Sequence, residues 1–329
     1  MIERDCSTQC IRSLIALIIA LFALIGCALA GTEDGSFCPT CPDWNNLDGW
    51  FEQKDAYYPQ PQATTPATQA TPAQIPAPSS YPRAWLVTSA DHILEGQVVL
   101  DARSPQEFAA GHIPDARNVY WETLRSGGSL DSKKAELALE RAGVNRSDHL
   151  LISGGTDDAT YLFWALEYLG QENLSLLDGG PEAYRSEGHA LANGEGDYGN
   201  RSNTSDYVVE ARTWLLVNES TLEATTRSVG VQLLDSQKSF ADYGRIHLQG
   251  AIQIPAEDIY SGGQLIGPDA LDELFSGRGL EEKKTIIVYA QPGAASLYWA
   301  LRAMGYNVAL IDGSWWMDST MSMSNIRSG

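Results

Sequence analysis

The chain has 329 residues, of which 42 are Asp or Glu and 22 are Lys or Arg, so its formal net charge at pH 7 is -20. This excess of negative charge excludes a nucleic-acid-binding role based on phosphate contacts, and it opposes adhesion to anionic lipid. It agrees with an exposed ectodomain and does not by itself indicate a cationic partner.

The first 30 residues have the pattern of an export segment. Arg4 and Arg12 precede an uncharged stretch, residues 13–30, and acidic residues follow it, which favours a start inside the cell and the bulk of the chain outside. Leu24-Ile25-Gly26-Cys27 is similar to a lipobox, in which the cysteine is lipidated. The uncharged stretch is also long enough to be a marginal transmembrane anchor. Both alternatives predict a protein held at the cell membrane with its domains on the extracytoplasmic side.

Residues 31–83 are predicted to hold a cysteine pair followed by a stalk. Cys38 and Cys41 are separated by two residues, and outside the cell such a pair is predicted to form a local disulfide. A share of a metal site and a redox-active pair are the alternatives. From Pro59 to Pro82 the chain is rich in Pro, Thr, Ala and Gln, which cannot bury a core and which favour an extended spacer.

Beyond the stalk, short apolar runs alternate with longer helical patterns. Bulky residues at three- and four-residue spacing predict helices over 159–169 and 294–304, each followed by a glycine suited to a helix end. The apolar runs lack strict alternation with polar residues, so they predict mostly parallel sheets covered on both faces. The predicted strands are Val98–Asp101, Leu150–Ser153, Leu174–Asp178, Val231–Asp235, Thr285–Tyr289 and Val308–Asp312.

This part of the chain is internally duplicated. The strand that ends at Asp101 recurs with its end at Asp235, Trp164-Ala165-Leu166 recurs from Trp299, and the Asp-Gly pair at Asp178 recurs at 312. The offsets are 134, 135 and 134 residues, so two copies of one unit follow each other. We therefore predict two α/β domains, residues 84–195 and 205–321, after an export segment at 1–30 and the stalk region at 31–83.

The turn after the first strand carries the motif of a known family. Residues 101–108, Asp-Ala-Arg-Ser-Pro-Gln-Glu-Phe, and 111–114, Gly-His-Ile-Pro, closely resemble the signature of rhodanese-like domains. The second copy keeps Asp235 but has Gln237 in place of the arginine, and Asp-Gly-Ser-Trp at 312–315 resembles the end of tandem thiosulfate sulfurtransferases. The resemblance covers residues 84–318 and implies two tandem rhodanese-like domains, each a mostly parallel sheet flanked by helices. It also implies mainly structural roles for Asp101, Arg103 and His112.

The chemistry implied by the resemblance needs a thiolate in the loop between a strand and the next helix. Aligning the strand ends places Gly155 at the cysteine position of the first copy and Ala290 at that of the second, while all five cysteines lie within the first 41 residues. Neither side chain can carry sulfur, so both loops are predicted to be degenerate. The nearby hydroxyls of Ser153 and Ser296 are interpreted as strand and helix residues rather than as nucleophiles.

The loop of the second copy is still a candidate for weak anion binding, because a backbone cradle does not need the cysteine side chain. It is uncharged, and it lacks the Arg or Lys that usually strengthens oxyanion binding. In the first copy, Asp157 and Asp158 are expected to repel anions. The candidate anion-binding residues are Gln291, Gly293, Ala294, Ala295 and Ser296.

Two functional classes remain. The preferred class is a membrane-anchored, extracytoplasmic pseudoenzyme of the sulfurtransferase family that acts in binding, sensing or scaffolding. The alternative is an active sulfurtransferase in which Cys38 or Cys41 carries the sulfur to the loop at Ala290. No cofactor and no metal site are predicted. The expected partners are the membrane, an unidentified protein at the cell surface and a small anion, with no nucleic acid.

Overall fold

The computed structural model describes residues 80–196 and 205–317. The described residues all belong to one compact unit, which therefore contains both predicted domains. The predictions for Cys27, for Cys38 and Cys41 and for the stalk up to residue 79 lie outside the described residues. Within the described ranges, every helix is too short or too polar to cross a membrane.

The first domain is built on a parallel five-stranded sheet. The apolar runs predicted at 98–101 and 150–153 form its centre, where Leu100, Leu151 and Ile152 are buried. In spatial order the sheet is β1-β7-β6-β2-β3, and every neighbouring pair is parallel. The strands are β1 (Val87–Thr88), β2 (Val98–Asp101), β3 (Arg117–Asn118), β6 (Leu150–Ser153) and β7 (Leu174–Leu177), and a separate hairpin consists of β4 (Arg125–Ser126) and β5 (Ser129–Leu130).

The second domain repeats this arrangement with four strands. Its sheet has the order β13-β12-β8-β9, again parallel throughout, and an isolated bridge from Leu216 to Leu310 stands where the first domain has β1. The strands are β8 (Val231–Asp235), β9 (Ile252–Gln253), β12 (Thr285–Tyr289) and β13 (Asn307–Leu310), with a hairpin of β10 (Tyr260–Ser261) and β11 (Gln264–Leu265).

Helices cover the sheets and begin where local sequence favours a helix start. At the first of them, Ser104 accepts from the amide of Glu107 and the Glu107 carboxylate accepts from the amide of Ser104, a capping box that explains this part of the family motif. The helices are α1 (Pro105–Ala110), α2 (Ser132–Arg141), α3 (Thr156–Tyr168), α4 (Gly180–Ser186), α5 (Glu219–Thr226), α6 (Phe240–Arg245), α7 (Pro268–Gly277) and α8 (Ala294–Ala303).

The two domains share one core through their central helices, α3 and α8. These helices pack against each other, with the Thr160 and Ser296 hydroxyls 3.1 Å apart near their first turns and Glu167 bonded to Arg302 near their last turns. They therefore run side by side in the same direction. Each helix is enclosed by its own sheet and by the other helix, which is why α3 and α8 are apolar on nearly all sides.

The predicted α/β architecture with parallel sheets is confirmed. Four of the six predicted strands have the predicted bounds, whereas β7 ends at Leu177, one residue before the predicted end. β13 spans Asn307–Leu310 rather than 308–312. Both predicted helices are present, and α3 begins three residues earlier than expected, at Thr156. The two-residue strands are absent from the sequence prediction because they are too short to show a period.

Candidate functional site

The Asp-x-Arg turn is a structural element in both domains. The Arg103 guanidinium donates to the buried Asp101 carboxylate, with Nη2–Oδ2 at 2.6 Å, and to the carbonyl of Gly111 at 2.7 Å. In the second domain the Gln237 amide donates to Asp235 at 2.9 Å and to the carbonyl of Ile246 at 3.0 Å. A neutral amide thus repeats both bonds of the arginine, and the structural role predicted for this turn is confirmed.

The histidine of each motif also makes its contacts with a residue of the same motif. Nδ1 of His112 lies 2.9 Å from the carbonyl oxygen of Phe108, and the ring is stacked on that of Phe108 at 3.8 Å. His247 makes the corresponding contacts with Tyr243, at 2.7 Å and 4.2 Å. A ring nitrogen that donates to a main-chain carbonyl fixes the imidazole in place, so these rings help to hold the turn together.

The loop after β6 has no side chain at the predicted cysteine position. Gly155 precedes α3, and no side chain caps the helix start. A Cβ on Gly155 would lie 3.2 Å from Oδ2 of Asp158, so this carboxylate occupies the space beside the missing side chain. Burial, followed by the negative charge of Glu107, raises the pKa of Asp158 to about 6. The loop therefore places negative charge where an anion would have to bind, as the sequence indicated.

A cavity opens at this first loop. Its volume is about 740 Å³, and both domains line it. Gly154, Gly155 and Thr156 form one wall, and the β10–β11 hairpin of the second domain forms another through Tyr260 and Gln264. The sequence did not indicate this cavity, because its walls come from segments more than 100 residues apart.

The loop after β12 is closed and tightly packed. Ala290 has a left-handed φ of +74° and is almost fully buried, and a cis peptide bond joins Gln291 to Pro292. The Ser236 hydroxyl donates to the carbonyl of Tyr289 at 2.9 Å and also to that of Ala290. A Cβ on Gly293 would lie 2.6 Å from that of Ala256, so only glycine fits there. The structure thus places Ala290 directly after the strand, with no ionisable group of its own.

A smaller cavity of about 230 Å³ lies beside this loop. It is lined by Gln291 and Pro292 from the second domain, and by Trp121, Arg125, Asp157 and Tyr161 from the first. The guanidinium carbon of Arg125 lies 5.0 Å from the centre of the Trp121 ring and 5.1 Å from that of Tyr161. The loop itself has no Arg or Lys, as the sequence indicated, but the β4–β5 hairpin of the other domain places the Arg125 guanidinium beside it.

The candidate anion-binding residues are not gathered at one open surface. Ala294, Ala295 and Ser296 are fully buried in the first turn of α8, and the Ser296 hydroxyl donates to the Asp157 carboxylate at 3.2 Å. Of the candidates, only Gln291 lines the small cavity, where its Nε2 and the Nε of Arg125 are buried without a hydrogen-bond partner. Anion binding at this loop stays a prediction, now centred on Gln291 and Arg125.

The two predicted serines are not arranged as nucleophiles. Ser153 is completely buried and its hydroxyl has no hydrogen-bond partner. Ser296 is held between Thr160 and Asp157, so its hydroxyl is already used. No hydrogen bond joins either hydroxyl to a histidine within the described ranges, and an activated serine needs such a base. Those ranges also hold no group of three or more His, Cys, Asp or Glu residues arranged to bind a metal ion.

Two aspartates at the ends of the sheets hold the domains together. The Asp178 carboxylate accepts from the amide of Leu265 at 2.8 Å, and the Asp312 carboxylate accepts from the amide of Leu130 at 2.5 Å. Each therefore binds the hairpin of the other domain. Burial raises the pKa of Asp178 to about 6 and raises that of Asp312 as well. The cavities beside both loops are thus bounded by an interface that contains partly desolvated carboxyl groups.

We expect the chain to become more stable as the pH falls from 7.5 to about 5. The folded-state pKa values of Asp158 and Asp178, about 6, lie above the ordinary value of 3.8, so the folded state binds more protons in that interval. This stabilisation is present below pH 4 and is lost as the pH rises through 6. Asp158→Asn with Asp178→Asn should flatten the dependence, measured as Tm at pH 5.0, 6.0 and 7.5.

The control for this prediction is Asp206→Asn, because Asp206 is exposed and lies outside both loops in the sequence. In that variant Tm should depend on pH as it does in the parent chain, including the part of the dependence that arises from the net charge of -20. An equal slope in the parent chain and the double variant would show that these two carboxyls do not titrate as described.

Comparison with known proteins agrees with this geometry. A model of the rhodanese-like domain matches the chain twice, over residues 87–187 and 219–316. The 3-mercaptopyruvate sulfurtransferase of Escherichia coli strain K12 is 29% identical over 259 residues, covering 70% of this chain and 91% of the relative. Both matched segments fall on the two sheets described above, and the predicted tandem arrangement is confirmed.

Solved structures show the same fold. The crystal structure of SseA from Escherichia coli, which has the rhodanese fold, aligns with a TM-score of 0.63 at 24% identity, covering 70% of this chain and 98% of that one. An anaerobic ergothioneine biosynthesis enzyme from Chlorobium limicola aligns with a TM-score of 0.61 at 17% identity, covering 71% and 68%. At these identities the likeness concerns the fold alone.

Proposed function

This chain belongs to the family of rhodanese-like domains, and from that premise we propose that it is a sulfurtransferase-family protein that does not itself transfer sulfur. In this proposal it is a binding, sensing or scaffolding protein. Its N-terminal segment holds it at the membrane, as a lipoprotein through Cys27 or by an uncleaved apolar anchor, and its two domains lie on the extracytoplasmic side.

One observation carries the non-catalytic part of the proposal. Neither strand-to-helix loop presents a group that can form a persulfide, since Gly155 stands in one and Ala290 in the other. Sulfur transfer in this family needs a thiolate, and every cysteine of the chain lies in the first 41 residues. The buried serines beside the loops lack a base, which further supports a loop without a nucleophile.

The cavity at the second loop supports a small anion as ligand. Arg125 brings a positive charge, and the unpartnered donors of Arg125 and Gln291 would each gain a hydrogen bond from an oxyanion. The Asp157 carboxylate lines the same cavity and opposes a second negative charge. We therefore propose weak binding of a singly charged oxyanion rather than tight binding.

The test is a sulfurtransferase assay of the full chain with thiosulfate or 3-mercaptopyruvate as donor, using the Escherichia coli relative as positive control. We expect no transfer above background and no mass increase equal to one sulfur atom on the intact protein. Transfer that disappears in Cys38→Ser with Cys41→Ser would overturn the proposal in favour of a cysteine relay. Transfer that survives both changes would place an unrecognised nucleophile in the folded domains.

The same preparations can be titrated with bisulfite to test the ligand. Weak binding that is reduced in Arg125→Gln, with unchanged binding in the exposed control Arg227→Gln, is the expected result, because the amide keeps a donor but removes the charge. Binding that is equal in both variants would exclude the small cavity as the anion site.

A further inference from the structure

A second repeat, Arg-x-Trp-Leu, precedes each sheet and is not part of the family motif. It occurs as Arg83-Ala84-Trp85-Leu86 and again as Arg212-Thr213-Trp214-Leu215, at an offset of 129 residues. In both copies the x-Trp-Leu part forms a short 3-10 turn, Ala84–Leu86 and Thr213–Leu215. The leucine of each turn is buried, whereas Trp85 is 67% exposed and Trp214 is 71% exposed.

Each turn is fastened to the central helix of the other domain. The indole of Trp299 in α8 donates to the carbonyl of Leu86 at 3.1 Å, and that of Trp164 in α3 donates to the carbonyl of Leu215 at 3.3 Å. Arg83 donates to the carbonyls of Arg302, Gly305 and Tyr306 at the end of α8. Arg212 donates to the carbonyl of Gly170 at the end of α3. Because α3 and α8 run side by side, both exposed indoles lie at the same end of the molecule.

This end is opposite the two loops. Gly155 and Ala290 precede the first turns of α3 and α8, whereas both Arg-x-Trp-Leu turns are attached at the last turns of these helices. We call the surface formed by Arg83, Trp85, Arg212 and Trp214 the tryptophan face. A shallow cavity of about 390 Å³ lies in it beside Trp214.

The tryptophan face carries arginine side chains on a strongly acidic chain. Arg83 and Arg302 both lie near Glu167, which is paired with Arg302, and Arg212 lines the shallow cavity together with Glu167 and Arg302. Within the described residues Arg83 and Arg212 form no ion pair, and both guanidinium groups donate to carbonyls at helix ends. Other exposed apolar side chains, such as Val229 and Phe240, stand alone and need no special explanation.

The described part of the chain begins at this face. The amide of Arg83 donates to the carbonyl of Ala303 at 2.9 Å, so the chain arrives beside the end of α8. The described chain therefore begins, at residue 80, next to the surface that carries Trp85. The proposed anchor belongs to the 79 residues that precede it, so the folded domains are joined to that anchor at the tryptophan face.

We propose that the tryptophan face docks on the lipid headgroup region of the membrane that anchors the chain. This inference depends on the proposed anchoring. Indole rings favour the membrane–water interface, and guanidinium groups bond to lipid phosphates. The net charge of -20 opposes anionic membranes, so the surface expected is a zwitterionic one. A tether raises the local concentration of the face at the bilayer, so two indoles are enough for docking without a large contact area.

Docking in this orientation places both loops away from the lipid. The cavities of about 740 Å³ and 230 Å³ lie at the loop end of the central helices, so they stay open to soluble ligands. The orientation thus agrees with a protein that binds or senses something in the external medium.

The experiment uses the full chain incorporated into phosphatidylcholine vesicles, with and without phosphatidylcholine brominated in its acyl chains. Bromine quenches tryptophan emission at short range. We expect brominated lipid to quench a smaller fraction of the tryptophan emission in the double variant, Trp85→Phe with Trp214→Phe, than in the wild type. The matched control is Trp315→Phe, because Trp315 lies after β13 at the loop end of the molecule. It should leave the quenched part unchanged, and circular dichroism should show that all variants are folded.

The outcomes separate docking from anchoring. A chain that fails to float with the vesicles would overturn the proposed membrane attachment itself. A chain that floats, but in which the double variant and the wild type are quenched equally, would overturn docking by this face alone. Dimerisation without lipid that is lost in the double variant would show that a second copy of the chain covers the face, and would also overturn the proposal.

Discussion

Replacing Glu167 with alanine is expected to lower the free energy of unfolding by about 3–5 kcal/mol, the usual cost of leaving one partner of a buried ion pair uncompensated. The Glu167 side chain is 8% exposed and that of Arg302 is 20% exposed. The carboxylate accepts from Arg302 Nε at 3.3 Å and from the Tyr298 hydroxyl at 2.8 Å, and it also binds Nη2 of Arg302. Its loss leaves a guanidinium and a phenol between α3 and α8 without their acceptor. The measurement is urea unfolding followed by circular dichroism.

Two comparisons identify the cause of that loss. Glu182→Ala removes the partner of Arg185 from a pair whose side chains are 69% and 65% exposed, so it should cost less than about 1 kcal/mol. Replacing the buried pair together, as Glu167→Leu with Arg302→Met, should recover most of the stability lost in Glu167→Ala. Equal losses for Glu167→Ala and Glu182→Ala would contradict the description of a desolvated pair that joins the domains.

Gly180→Ala is expected to destabilise the chain by on the order of 3 kcal/mol or more and to disturb the first loop. Gly180 has a left-handed φ of +57°, and a Cβ there would lie 2.2 Å from the carbonyl oxygen of Gly154. Main-chain atoms cannot rotate away as a side chain can, so the β7–α4 turn and the β6–α3 loop must separate. Urea unfolding gives the loss in stability, and hydrogen exchange at residues 153–158 reports the disturbed loop.

The matched control for this change is Gly127→Ala. Gly127 has nearly the same φ, +59°, but a Cβ there would have no atom within 4 Å. Only the strain of a left-handed alanine remains, about 1 kcal/mol. If both variants lost the same amount, the close approach of the two loops would have no role in stability.

The sequence predicted the parts of the candidate site that depend on neighbouring residues. The Asp-x-Arg turn, its histidine and the absence of a thiol at Gly155 and Ala290 all follow from local motifs, and the turn and histidine contacts lie where the motif indicated. The sequence did not indicate Arg125 as a wall of the second cavity. That residue reaches the loop through a hairpin of the other domain, and no short-range pattern records such a contact.

The sequence by itself therefore determined that this chain has two copies of one α/β unit and that neither copy contains a cysteine. Periodicity, duplication and side-chain chemistry can all be recognised in one amino-acid sequence without its structure. Only the tertiary structure decided which residues surround each loop, how Glu167 and Arg302 join the central helices, and that Trp85 and Trp214 stand at one end of the molecule. These features arise where two folded domains pack against each other, through contacts between residues more than 100 positions apart.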